Sequence, residues 1–346
     1  MVPPVTLQQI ADKAGVSRMT VSRALRNSPK VTKATAARIQ ALAISLGYKP
    51  DPLIQRLTSH LAQIHRRSDG QVIAWINPWN ESVPWRGQMP FYSMYLGAAA
   101  RAQKLGFRLE EFRLRQPGMT GKKLSRILYQ RGIECLILAP IPKGGGHLTM
   151  DWDKFSAVAI GYSMIFPRMH RVGSHHQHAA REAIRQLYRR GYRRIGLLLT
   201  RDVNARHNNS WLEAMAYYHF RSPKKNRVKP LIQAEFSIKG IPRWLKEERP
   251  DSILTHDRRI REILTRAGYR NPEDIGLVFS DLDCAESTMA GIDQRYDLIG
   301  ETATDMVIGQ HHRNEKGVPP FPHTVMIEGH WVDGNIPRRR GSENPA

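Results

Sequence analysis

Leu7, Ile10, Ala11 and Ala14 recur at i, i+3, i+4 and i+7, the spacing of one face of an α-helix. Thr6 precedes this run and Gln9 follows three residues later, the pattern of a capping box. Gly15-Val16 ends the helix, because glycine takes the left-handed turn without steric cost. Ser17 then caps a second helix, RMTVSRAL, whose inner face carries Val21, Ala24 and Leu25. Ser28-Pro29 breaks the chain. Thr32 caps a third helix, KATAARIQALAISL, with Ile39, Leu42, Ala43 and Leu46 inward, and Gly47 closes it. Two short helices across an A-G-V-S turn, followed by a third, predict a helix-turn-helix.

Beyond residue 70 the period changes. QVIAWINPW (71–79), GFRLEEFRL, ECLILAPIP, FSAVAIGY, RRIGLLLT, PDSILTHD and EDIGLVFSDLD read as strands. Phe91 to Leu105, KLSRILYQ, AAREAIRQLYRR, SWLEAMAYYH and RRIREILTRAGY read as helices between them. Strands alternating with helices predict parallel sheets in an α/β fold, and this length suits two sheets better than one.

Charge adds a partner to this picture. The 346 residues carry 53 Lys+Arg against 31 Asp+Glu, a net charge of +22 that favours a polyanion such as nucleic acid. Residues 1–70 hold eleven of the basic residues and three of the acidic ones. In a helix-turn-helix the second helix enters the major groove. A 100° step places Arg18, Met19, Ser22 and Arg23 on its outer side, opposite Val21 and Leu25. An arginine fork matches guanine O6 and N7, and Met19 suits a thymine methyl. Thr6, Ser17, Thr20 and Thr32 stand at helix starts, where hydroxyls and backbone N–H groups suit phosphates.

The stretch VTLQQIADKAGVSRMTVSRALRNSPKVTKATAARIQALAISLGYKP resembles the headpiece of the lactose-repressor (LacI/GalR-type) family. The family pattern is V-T-[IL]-x-[DE]-[IV]-A-x-x-A-G-V-S-x-x-T-V-S-R-x-L, from which Gln9 departs. Three later stretches are similar to the family's periplasmic-binding-protein-like effector domain: RRGYRRIGLLL, PDSILTHDRRIREILTRAGYRNPEDIGLVFSD and GIDQRYDLIGETATDMVI. The resemblance spans nearly the whole chain. It implies an all-α helix-turn-helix headpiece (1–49), a hinge helix (50–69), and a two-lobed α/β effector-binding and dimerisation domain (70–338). The lobe crossovers are expected near 172, 296 and 328, with a disordered tail at 339–346.

The same resemblance implies a homodimeric repressor on a pseudo-palindromic operator, with base-reading positions at Arg18, Met19 and Arg23. A small molecule, a sugar or sugar derivative, would occupy the inter-lobe cleft. Asp281 matches the aspartate that accepts ligand hydroxyls; Gln294 and Tyr296 match the glutamine and aromatic near a crossover. The family arginine position falls within a residue of His207, with Trp211 as its aromatic. His256 replaces the asparagine of an N-D pair, and His175-His176 replace a D-N pair. The hinge pattern Y-x-P-N-x-x-A-[RQ]-x-L is matched at Pro50, Gln55 and Leu57, while Asp51 and Ile54 depart from it. In the family that leucine wedges into the minor groove, an insertion that bends the duplex. The stripe Leu53, Leu57, Leu61 and Ile64 predicts a helix that either pairs with its mate or packs on the effector domain.

Other chemistries find less support. His170, His175, His176 and His178 lie close together, but no Cys or acidic residue sits among them. They read as a solvated loop and helix start, with no metal site assigned. QHHRNEKG, with His311 and His312, reads as a polar loop, and GGG at 144–146 as a flexible one. Cys135 and Cys284 are too few for a disulfide framework or a thiolate metal site. No G-x-S-x-G, H-E-x-x-H or P-loop occurs, so neither an enzyme nor a cofactor is expected. No apolar run approaches a membrane span and the N-terminus lacks signal-peptide character, so a cytoplasmic location is expected rather than that of a periplasmic solute-binding protein. The remaining alternative is an effector-independent, nucleoid-type DNA binder.

Overall fold

Three helices form the headpiece of the computed structural model: α1 (Leu7–Ala14), α2 (Arg18–Leu25) and α3 (Lys33–Ser45). The structure describes residues 5–25, 28, 31–48, 71–79, 85–142, 145–236, 240–282 and 288–337. The expected hinge helix with Leu57 and the tail lie outside the described residues. Thr6 is extended (φ −103°, ψ 157°); its Oγ1 accepts from Gln9 N at 3.3 Å, and Gln9 Oε1 accepts from Thr6 N at 2.8 Å. Gly15 ends α1 at φ 66°, ψ 34°, a conformation costly for any residue with a Cβ. Ile10, Ala11, Ala14, Val21, Ala24, Ile39 and Ala43 form one buried cluster. Helix ends leave carbonyls without intrahelical partners, and α3 supplies two of them. Arg38 Nη2 donates to Ala14 O at 3.1 Å, and Gln40 Nε2 donates to Ala24 O at 2.9 Å.

The larger domain is built on two six-stranded sheets. The first contains β1 (Gln71–Asn77), β2 (Phe107–Arg113), β3 (Cys135–Leu138), β5 (Ser156–Ile160), β7 (His170–Ser174) and β13 (Thr324–Ile327). Their order is β13-β7-β5-β3-β1-β2, all parallel. A two-stranded ribbon of β4 (Gly146–His147) and β6 (Met164–Phe166) lies beside it. The second sheet contains β8 (Ile195–Thr200), β9 (Leu231–Gln233), β10 (Ser252–Thr255), β11 (Gly276–Leu282), β12 (Ala290–Asp293) and β14 (His330–Val332). Its order is β14-β12-β11-β10-β8-β9, with only β14 antiparallel to its neighbour. Strands such as CLIL, SAVAI and SILT are buried throughout, because helices cover both faces of a parallel sheet.

Eight α-helices among the described residues complete the lobes, here α4 (Met89–Lys104), α5 (Gly121–Gln130), α6 (His176–Arg189), α7 (Arg201–Arg206), α8 (Ser210–Arg221), α9 (Gly240–Glu248), α10 (Ile260–Arg266) and α11 (Tyr296–Arg313). The chain passes from the first lobe to the second between β7 and α6. It returns between β12 and α11, and leaves again between β13 and β14. Returning α11 packs directly on α4, where a Cβ on Gly97 would strike the Asp297 carbonyl and one on Gly300 the Met94 carbonyl. No described helix is long and apolar enough to cross a membrane.

Three readings of the sequence change. His311 and His312 belong to the last turn of α11 rather than to a loop, where a basic side chain suits the negative end of the helix dipole. Gly146 begins β4 rather than a flexible loop; its N–H donates to Ser163 O at 2.9 Å, and a Cβ there would strike the Ile141 side chain. His176 is buried rather than solvated.

Candidate functional site

In α2, Val21 and Ala24 face the headpiece core, while Arg18 is exposed, Met19 is 58% exposed, and Ser22 and Arg23 are half-buried. Ser17 Oγ accepts from Thr20 N at 3.1 Å and lies 2.9 Å from Thr20 Oγ1. Thr32 repeats the arrangement on Thr35, at 3.3 and 2.8 Å. These hydroxyls therefore fix helix starts, which are the ends that attract phosphate. Asp12 is the only carboxylate among the described headpiece residues, and Gln8 Nε2 donates to it at 2.8 Å.

The second candidate site lies where strand ends of the two lobes meet, the expected ligand position of open α/β sheets. β8, β10, β11 and β12 deliver Thr200, His256, Asp281 and Gln294 from the second lobe. Gln294 is fully buried and pins two strand ends, its Nε2 donating to Ser280 O at 2.6 Å while Oε1 has no partner. His256 Nε2 lies 3.4 Å from Thr200 Oγ1, and its ring stands 5.3 Å from Phe236. The His176 and His207 rings stack at 3.8 Å. Nδ1 of His176, His207 and His256, and Oδ1 of Asn204, are shut from solvent without a partner. Unpaired buried polar atoms are costly, and a cluster of them marks a place for a polar ligand. Tyr296 starts α11 at the crossover, close enough to Asp281 and Arg206 to feel both charges.

Arg206 was not singled out from the sequence, yet it closes the cleft. It is one residue before His207, and its guanidinium crosses to the first lobe. There Nη1 donates to Pro142 O at 3.0 Å and the charge sits 5.7 Å from the Phe91 ring centre. Phe91 in turn packs at 4.7 Å on Trp79, whose indole N–H donates to Pro140 O at 3.1 Å. Trp211 needs a correction. At 1% exposure it is part of the second lobe's core with Ala179, Leu199 and Met215, not an open stacking platform. Only its buried, unpartnered indole N–H remains for a ligand.

Burial sets the protonation of this cleft. It pushes His256 down to about 4, helped by Arg206 and opposed by Asp257. Burial first, then His176 and Arg206, hold His207 well below the usual imidazole range. Burial followed by Asp281 pushes the Tyr296 phenol well above its ordinary value. The imidazoles are therefore neutral at pH 7, each able to donate one hydrogen bond and accept another. The unfolded chain binds more protons than the folded one between pH 6.5 and about 4, so this source of stability is full above that window and lost as pH falls through it. The Tm of the full chain should drop across this range, and drop less in His256→Asn. An equal drop in the variant would show that His256 does not contribute.

Residues 6–51 match the model of the bacterial regulatory proteins of the lacI family. Over 292 residues the chain is 25% identical to the NTD biosynthesis operon regulator NtdR of Bacillus subtilis (strain 168), covering 80% of this chain and 82% of that protein. The lac repressor dimer bound to operator and the anti-inducer ONPF shares the fold at a TM-score of 0.55 and 19% identity, covering 96% of this chain and 98% of that one. A transcriptional regulator CelR–cellobiose complex does so at 0.54 and 20%, covering 95% and 100%. In its headpiece the chain is similar to the bacterial regulatory proteins of the lacI family, and over most of its length to transcriptional regulators with the same two-lobed α/β fold.

Proposed function

We propose that this regulator represses transcription as a homodimer on a pseudo-palindromic operator, and that a sugar or sugar derivative in the inter-lobe cleft controls it. The observation that carries the DNA reading is α2: Val21 and Ala24 are buried in the headpiece while Arg18 and Met19 are exposed and Arg23 is half-buried, in a headpiece whose described residues hold one carboxylate, Asp12. Two such helices on a dimer would meet successive major-groove half-sites. The solved lac repressor dimer, bound to its operator, shares the fold over nearly the whole chain.

For the ligand, Asp281 offers a hydroxyl acceptor, as expected for a sugar. Arg206 and the neutral imidazoles of His176, His207 and His256 add donors, which favours a derivative with a carboxylate or phosphate over a plain sugar. Gln294 and Tyr296 stand at the same crossover. Ligand-dependent closure of the lobes would shift the headpieces relative to each other and so change operator affinity.

Selection of bound DNA from a random pool, repeated with a panel of sugars, sugar acids and sugar phosphates, tests both halves. A two-fold symmetric site should emerge, bound at least ~10³ more tightly than random DNA, and one ligand class should change that affinity. The charge of +22 also suits a nucleoid-type binder. Equal competition by random DNA would favour that reading and overturn the operator one.

A further inference from the structure

We propose that His175, His178 and Glu328 form a binding site for a divalent first-row transition ion of the Zn²⁺ type, which clamps two of the three passages between the lobes. One ligand atom from each residue lies within 4.8 Å of the others. His175 Nδ1 is 3.7 Å from a Glu328 oxygen, and the two imidazole rings are 5.5 Å apart, tilted by 30°. Two imidazoles and one carboxylate are a donor set that suits Zn²⁺, Ni²⁺ or Fe²⁺, with remaining positions left to water.

The acidic partner is 150 positions downstream of the histidines, so no local spacing reveals it. The backbone brings it there: His175 N donates to Ile327 O at 2.8 Å, fixing the start of α6 against the end of β13. His178, in the first turn of α6, has its Nδ1 shut from solvent with no partner. The neighbouring Glu182 does not supply one, since its oxygens accept from Arg185 and Gln186. Glu328 is 64% exposed on its side chain, free to swing in and shorten the ligand spacing to what bond lengths of about 2.0–2.2 Å require.

The location gives the ion a consequence. His175 sits on the β7-to-α6 passage and Glu328 on the β13-to-β14 passage. A bond through the metal would restrain the angle between lobes, and the cleft imidazole of His176 lies directly between the two ligating histidines in sequence.

The test uses the full chain without a histidine tag, stripped with chelator and titrated calorimetrically with ZnCl₂, then with NiCl₂, and with MgCl₂ as the hard-ion control. One Zn²⁺ should bind per chain and raise Tm, while Mg²⁺ does neither. Glu328→Gln and His178→Ala should each weaken Zn²⁺ by at least ~10-fold, and His312→Ala, at the far end of α11, should leave it unchanged. Glu328 is exposed, so its variant tests the site even if His178→Ala folds poorly. No binding at 100-fold excess ion over protein, or equal binding by wild type and Glu328→Gln, overturns the site.

Discussion

Arg23→Ala should weaken binding to the selected operator by about 1–3 kcal/mol, roughly five- to 150-fold, and relax preference at one base pair in each half-site. The effect should be this large because the guanidinium has no substitute on the reading face. Arg18 lies more than one turn earlier on α2, and Ser22 reaches less far. The fold should survive, since the core of the headpiece runs through Val21, Ala24 and Ile39 instead. Binding-site selection separates base reading from simple loss of charge. A phosphate contact would weaken all sequences alike and lower the salt slope, whereas a base contact changes the preferred sequence. An unchanged consensus with uniformly weaker binding would move Arg23 from the bases to the backbone.

Arg206→Met should raise the apparent Kd of the responding ligand by at least ~10-fold and blunt its effect on operator binding. Methionine keeps an apolar stem of similar length, so the change isolates the charge. What is lost is a charge-assisted hydrogen bond to Pro142 O, worth about 1.5–3 kcal/mol, and the contact with Phe91, worth about 0.5–1 kcal/mol. Both connect the lobes and neither exists when they part. Removing them lowers the fraction of molecules in the closed form, and apparent affinity falls by that fraction. Small-angle scattering of the ligand-free variant should show a larger radius of gyration. Ligand affinity and scattering both equal to wild type would show that the bridge does not govern closure.

The headpiece was legible residue by residue because its structure is local. Caps at Thr6, Ser17 and Thr32, the left-handed Gly15 and the apolar periodicity act within one or two turns, and the structure places α1, α2 and α3 where they predict. The α/β alternation was legible for a similar reason, since strands buried on both faces leave unbroken apolar runs. The strands β4, β6, β7, β9, β12, β13 and β14 were not read: all are two to five residues long, and β7 opens on the polar pair His170-Arg171, which reads as loop. His311 and His312 misled because a polar surface helix end and a polar loop share one composition.

The cleft divides along the same line. Asp281, Gln294 and Tyr296 follow from the family resemblance alone, and the fold sets them at two strand ends and a helix start. Arg206 could not, since its role depends on a carbonyl 64 positions away in the other lobe. The resemblance assigns Trp211 to the ligand, whereas its neighbours are the core of the second lobe. By itself, then, the sequence determined the three headpiece helices and the α/β alternation, both governed by short-range geometry and periodic burial. Only the tertiary structure decided which imidazoles lose water, which guanidinium joins the lobes, and that Glu328 meets His175 and His178. Desolvation and charge pairing depend on chains brought together across 60 to 150 residues, a distance no local pattern encodes.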